Sequence, residues 1–212
     1  MTTPDHLVVA ATTLADGIEY VADITGVAPQ PGGRHVAMGT HNALLRLGER
    51  FYLEIIAIDP DGTKPPRRRW FGLDDIALQA ELMLRPRLIH WVARTDAIER
   101  AAAACPIALG PIHPMARGDF RWRITIPDDG ALPGRGVVPT LIQWDVPAHP
   151  ADRLPHSSVS LDAFAATHSD PAPVRAALAK LDLEGAVRVS YDRETRLAAM
   201  LRTPRGVVTL ST

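Results

Sequence analysis

The chain reads as an α+β protein built from repeated β-α-β-β-β modules, and three observations predict it. A β-branched, apolar strand begins almost at the first residue and another near residue 88. Each is followed by a helix-spaced segment and then by three short strand-like runs. A third, shorter pass of the same element order fills the last third of the 212 residues. The repeat is one of element order, not of residue identity. It divides the chain into a first module at residues 1–60, a linker with a short helix at 61–87, a second module at 88–148 and a third unit at 155–212, all packed as one domain.

In the first module, Asp5-His6-Leu7-Val8-Val9-Ala10-Ala11 is a mostly buried strand with His6 inside it. Thr13 and Asp16 form a capping-box pattern ahead of Leu14, Ile18, Val21 and Ile24 at helical spacing, and Gly26 ends the helix. Strands are expected at residues 34–38, 42–47 and 51–58. Residues 59–69 are proline-rich and basic, hence a loop, and a short helix should run through Leu84. The second module has a strand at 88–93, a helix capped by Asp96 and Glu99 and ended by Cys105-Pro106, and strands at 110–115, 120–126 and 140–146. The third unit has a strand at 159–167, a helix capped by Asp170 with Pro171 in its first turn, and strands at 187–191, 197–201 and 207–210.

Composition excludes several classes. The 23 basic and 24 acidic side chains nearly cancel, so the electrostatic footprint of a nucleic-acid binder is missing. Arg67-Arg68-Arg69, flanked by prolines, reads as solvated surface. One cysteine, Cys105, allows no internal disulfide, and the first residues lack the features of a secretory signal, which favours the cytoplasm. Cys105 has no His or Lys beside it in sequence to activate a thiolate. No apolar stretch approaches the roughly 20 residues needed to span a bilayer. A Gly-rich phosphate loop, a Gly-x-Ser-x-Gly elbow and a His-Glu-x-x-His pair are all missing, so no nucleotide cofactor is expected.

Matching positions in the first two modules should face one shared cavity. His6 lies on the first strand of module one and Glu54 on its last, 48 residues on; His90 and Gln143 hold the same places in module two, 53 residues apart. Two imidazoles, a carboxylate and an amide oxygen make an open site for one divalent metal ion, with zinc, nickel, manganese and iron indistinguishable. Taken singly, each residue also reads as a hydrogen-bonded cavity or core group. Strand alternation puts Tyr52, Glu54 and Ile56 on one face and turns Trp91 and Trp144 away from His90 and Gln143, into the core.

Asp5-His6-Leu7-Val8-Val9-Ala10, Gly33-Arg34-His35, Gly39-Thr40-His41-Asn42-Ala43-Leu44, Tyr52-Leu53-Glu54-Ile55-Ile56 and Trp70-Phe71-Gly72-Leu73 resemble the glyoxalase-like domain proteins of the vicinal-oxygen-chelate superfamily, over roughly the first 145 residues. The resemblance implies curved, mostly antiparallel sheets around a cup-shaped cavity, the glyoxalase/dihydroxybiphenyl dioxygenase-like fold, with metal ligands on the first and last strand of each module. His6, Glu54, His90 and Gln143 match those places, Gln143 standing where an acidic residue is common. It also implies a metal-dependent lyase or isomerase acting on a small vicinally oxygenated molecule, with Glu54 as the proton shuttle. His35, His41 and Asn42 would then line the cavity mouth and bind substrate, or His41 and Asn42 would only fix their turn. Two alternatives stay open: a metal-free protein that sequesters a small molecule, and an extradiol dioxygenase using His6, His90 and Glu54. A small molecule is the expected partner, with neither nucleic acid nor membrane, and a homodimer is open.

Overall fold

The computed structural model describes residues 1–212. The first module comprises β1 (Thr3–Ala10), α1 (Leu14–Thr25), β2 (Gln30–His35), β3 (Thr40–Gly48) and β4 (Phe51–Ile58). The Thr13 hydroxyl accepts from the Asp16 amide at 3.2 Å, and Gly26 closes α1 in the left-handed region at φ 75°. After the linker helix α2 (Ile76–Leu82) come β5 (Arg87–Arg94), α3 (Ile98–Ala104), β6 (Ile112–Arg117), β7 (Phe120–Thr125) and β8 (Thr140–Trp144). The last third supplies β9 (Ser160–His168), α4 (Pro171–Lys180), β10 (Arg188–Tyr191), β11 (Arg196–Thr203) and β12 (Gly206–Ser211). No helix is long and apolar enough to cross a membrane.

The first two modules form one eight-stranded sheet in the order β2-β3-β4-β1-β5-β8-β7-β6. In each, the first strand pairs with the last in parallel, β1 with β4 and β5 with β8, and the modules join through the antiparallel β1–β5 pair. The sheet curls into a nearly closed cup. Arg117 at the end of β6 bonds His35 on β2 and Asn42 on β3, bridging its two outer edges.

The third unit repeats the element order but not the pairing. Its separate sheet runs β10-β9-β11-β12, so its first strand lies between its second and third. It covers the convex face of the large sheet: Phe164 of β9 meets the Trp91 ring edge-on at 5.5 Å, and Leu7, Val9 and Trp91 share one core with Val159, Leu197 and Leu210. A second core lies inside the cup and includes Val8, Ile56, Val92, Trp122 and Ile142.

Three local expectations need correction. The strand expected at 34–38 begins at Gln30, and residues 36–38 form a 3₁₀ turn; Pro31 and Gly33 are tolerated because β2 is an edge strand. Helix α3 is not capped by Asp96 and Glu99. Its N-cap, Ala97, has no side-chain acceptor, and the Ile98 amide donates instead to Gln143 Oε1 at 3.0 Å. Nor is the arginine run all solvated surface: Arg69 is buried, donating to Asp74 Oδ1 at 2.6 Å and holding the linker in place.

Candidate active site

The cup interior narrows to a cavity of about 20 Å³ lined by His6, His35, Tyr52, Glu54, Trp70, Phe71, Arg117, Trp122, Ile124, Ile142 and Trp144. Its polar wall comes from β1, β3 and β4, because alternation turns His6, Asn42, Tyr52 and Glu54 inward while Leu7, Ala43, Leu53 and Ile55 face the convex-side core. The segment Trp70–Gly72 crosses the cup, with Phe71 at φ 57° and Gly72 tied to Gly130 by a 2.8 Å backbone bond. Trp70 and Phe71 are buried there with their rings stacked.

At the centre stands His6. Its Nδ1 donates to Asp5 Oδ1 at 2.6 Å, and its Nε2 faces Glu54 Oε2 at 3.6 Å. Asp5 is fully buried, yet its other oxygen accepts from His149 Nε2 and Trp144 Nε1, both at 3.0 Å. Burial alone would raise the Asp5 carboxyl, but bonds from His149 and His6 outweigh it and hold the group well below the usual carboxylate range. A permanent carboxylate behind Nδ1 fixes the His6 tautomer and leaves Nε2 for chemistry in the cavity. The imidazole also stacks on Tyr52 at 4.6 Å. Burial, with the charges of Asp5 and Glu54, pushes the Tyr52 phenol up and keeps it neutral.

The other side of Glu54 is held by Asn42, whose Nδ2 donates to Oε1 at 2.6 Å. Asn42 Oδ1 accepts from Arg117 Nη1 at 2.8 Å, and the same Nη1 donates to His35 Nε2 at 3.0 Å. An imidazole nitrogen that accepts from a guanidinium must be unprotonated, so His35 bears its proton on Nδ1, facing Thr40 Oγ1 at 3.1 Å. Burial and the Arg117 charge accordingly hold His35 well below its ordinary value. Glu54 thus lies between an imidazole and an amide in a water-poor pocket, an arrangement suited to taking up and returning a proton.

The residues anticipated from sequence do not all converge. His6, Glu54 and His35 line the cavity, and Asn42 stands directly behind Glu54. His41 lies on the opposite face of β3 from Asn42, so it does not line the cup. His90 is sealed off: Nδ1 donates to the Gly136 carbonyl at 3.1 Å while Nε2 accepts from the Thr140 amide at 3.1 Å. Burial holds its pKa down to about 3. Gln143 points out of the cup toward α3, and its neighbours Ile142 and Trp144 take the inward positions. The Trp144 assignment is therefore reversed, whereas Trp91 is a core residue, its indole donating to Val137 O at 2.8 Å. The four-donor metal site does not fit this arrangement. Of the four, only His6 Nε2 and Glu54 face the cavity, and nowhere do three His, Cys, Asp or Glu side chains gather in metal-holding geometry. The facial set of His6, His90 and Glu54 fails for the same reason.

Asp5, Tyr52, Arg117 and His149 were missed as site residues. Asp5 escapes strand alternation because the β1–β5 register shifts between Pro4 and His6. Arg117 and His149 sit 111 and 143 residues from His6 and carry no local motif. Cys105 stays outside the site, and burial raises its thiol.

A glyoxalase-like domain family model matches residues 5–181. Among solved structures, a hypothetical protein from Staphylococcus aureus superposes with a TM-score of 0.58 at 12% identity, over 100% of this chain and 85% of that one. Methylmalonyl-CoA epimerase from Mycobacterium tuberculosis aligns at a TM-score of 0.40 and 14% identity, over 67% of this chain and 86% of that one. A variant of the Streptomyces coelicolor epimerase in complex with 2-nitronate-propionyl-CoA aligns at 0.43 and 16%, over 69% and 99%. No curated protein matches the chain. With the family model spanning both modules of the cup and running on through α4, the chain belongs to the glyoxalase-like domain family.

Proposed function

We propose that this protein is a lyase or isomerase of the glyoxalase type that moves a proton on a small, vicinally oxygenated molecule. The observation that carries this reading is the Glu54 carboxylate, held by Asn42 on one oxygen and set 3.6 Å from His6 Nε2 on the other, at the wall of a cavity. Glu54 takes the proton from a carbon next to a carbonyl, the C–H electron pair moves onto the carbonyl oxygen, and Glu54 or His6 returns a proton to the resulting enediolate. Asp5 orients His6 and does not touch substrate. The chemistry needs no third donor from module two.

The rival reading, a binding protein that sequesters its ligand in the cup, draws on the aromatic lining by Trp70, Phe71, Trp122 and Trp144. The two separate in one experiment. A panel of α-hydroxy ketones, 2-oxo acids and 2-oxoaldehyde hemithioacetals is incubated with the protein in deuterium oxide and followed by proton NMR. Enzyme-dependent loss of a C–H signal that disappears in Glu54→Gln supports the enzyme. Exchange unaffected by that substitution, or no exchange with any member, leaves the binder as the better account.

A further inference from the structure

Resting on that reading of Glu54, we infer that the substrate bears a carboxylate, seated on Arg117 and the indole N–H of Trp70, with its acidic carbon turned to Glu54 and His6. Two observations converge. Arg117 is half-buried at the cavity wall, and its protein hydrogen bonds run only from Nη1, to two neutral acceptors, His35 Nε2 and Asn42 Oδ1. No carboxylate lies within ion-pair distance, so the guanidinium is placed by its neighbours without being neutralised by them. Guanidinium groups match carboxylates through paired N–H donors, and a partly desolvated cation strengthens that match.

The second observation is independent. Trp70 lines the same cavity, and its Nε1–H is buried with no acceptor. Indole nitrogen only donates, and a buried donor without a partner is rare in a folded chain. Trp70 packs edge-on against His35 at 5.0 Å, and His35 is the residue that Arg117 holds. A cationic donor and an orphaned neutral donor therefore lie around one imidazole, with no free acceptor from His35, whose Nε2 is already occupied. That set calls for a ligand rich in acceptor oxygens. Asn42 links Arg117 to Glu54 through two hydrogen bonds, so a carboxylate on the arginine brings a neighbouring carbon toward the base. The small cavity confines the enclosed part of the ligand to a compact head group.

The step balances without a co-reactant. The carbon–hydrogen bond breaks, an O–H bond forms on Glu54, and the electron pair passes to the carbonyl oxygen as the enolate; the substrate carboxylate stays bound and unchanged. Reprotonation restores the enzyme.

The test pairs binding with exchange. Tryptophan fluorescence is titrated with 2-oxobutyrate, oxalate and the uncharged butane-2,3-dione, using wild type, Arg117→Met, Arg117→Lys and Trp70→Phe, each first shown by thermal melting to be folded. Wild type should prefer the acids over the dione by about tenfold or more, Arg117→Met should erase that preference, Arg117→Lys should restore part of it, and Trp70→Phe should weaken the acids several-fold. If wild type binds acids and dione alike, binds no acid at millimolar concentration, or keeps its preference in Arg117→Met, the inference is overturned. Glu54→Gln separates it from the catalytic reading. Acid binding that persists in Glu54→Gln, with no Glu54-dependent exchange, sinks the reaction and leaves the carboxylate site. Glu54-dependent exchange indifferent to Arg117 does the reverse.

Discussion

The two modules of the cup share strand order and parallel first-to-last pairing, yet their inner walls differ in chemistry. Module one presents His6, Asn42, Tyr52 and Glu54: Asp5 bonds His6, Asn42 bonds both Glu54 and Arg117, and His6 faces Glu54 across 3.6 Å. Module two presents Trp122, Ile124, Ile142 and Trp144, and its buried imidazole, His90, spends both nitrogens on backbone groups. Apolar walls lower the local dielectric around the polar ones, which strengthens each charge interaction in module one. A repeated frame therefore keeps its proton-transfer groups in one half, while the other half shapes the space and adds one cation, Arg117, at its wall.

Substitutions at matching places can break that comparison. The largest effect is expected for Glu54→Gln, which keeps an oxygen for Asn42 but removes the base: solvent exchange into substrate should fall by about 10²–10⁴-fold with folding intact, and a variant retaining wild-type exchange would dissolve the asymmetry between the walls. Asp5→Asn should slow exchange by a smaller factor and alter its pH profile, because His6 loses the carboxylate that sets its tautomer; a fall in stability with an unchanged profile would make Asp5 purely structural. His90→Leu should do the opposite, costing about 2–4 kcal/mol in urea unfolding by stranding the Gly136 carbonyl and Thr140 amide, while exchange per folded molecule stays level.

The same histidine sharpens the contrast through pH. His90 is held at about 3 against an ordinary 6.5, so the unfolded chain binds the extra proton first. Stability should be full above about pH 6.5 and decline toward pH 3, a slope that urea midpoints across this range would show. His35, also depressed, contributes in the same direction, so His90→Leu should flatten the slope without abolishing it. The smallest effect belongs to Gln143→Ala, which removes the acceptor for the first amide of α3. About 0.5–2 kcal/mol of stability should go, with exchange and metal content by plasma mass spectrometry unchanged; altered metal content would put Gln143 back among the ligands.

Much of the site in module one was legible because strand phase there is unambiguous. Phe51 to Ile58 is an uninterrupted strand, and Glu54 falls inward with Tyr52 and Ile56. On β8 the same reasoning failed by one residue. Both neighbours of Gln143 are apolar, so the pattern offered no phase, and a single step exchanges inward for outward along the strand. Gln143 consequently went to the helix and Trp144 to the cup. The third unit shows a related limit, since β-α-β-β-β order does not dictate which strands become neighbours.

By itself the sequence determined most of the elements, their repeated order and the shared face of Tyr52, Glu54 and Ile56, because periodicity, caps and turns are local properties written into short windows; the cup was implied by the family resemblance. Tertiary structure decided what those residues do. Whether an imidazole is free or spent depends on backbone atoms about 50 positions away, as Gly136 and Thr140 are for His90. Whether a carboxylate stays charged in the core depends on donors as distant as His149 and Trp144 are from Asp5. Hydrogen bonding and burial act through space, and only closing the sheet brought Arg117 beside Asn42 and His35.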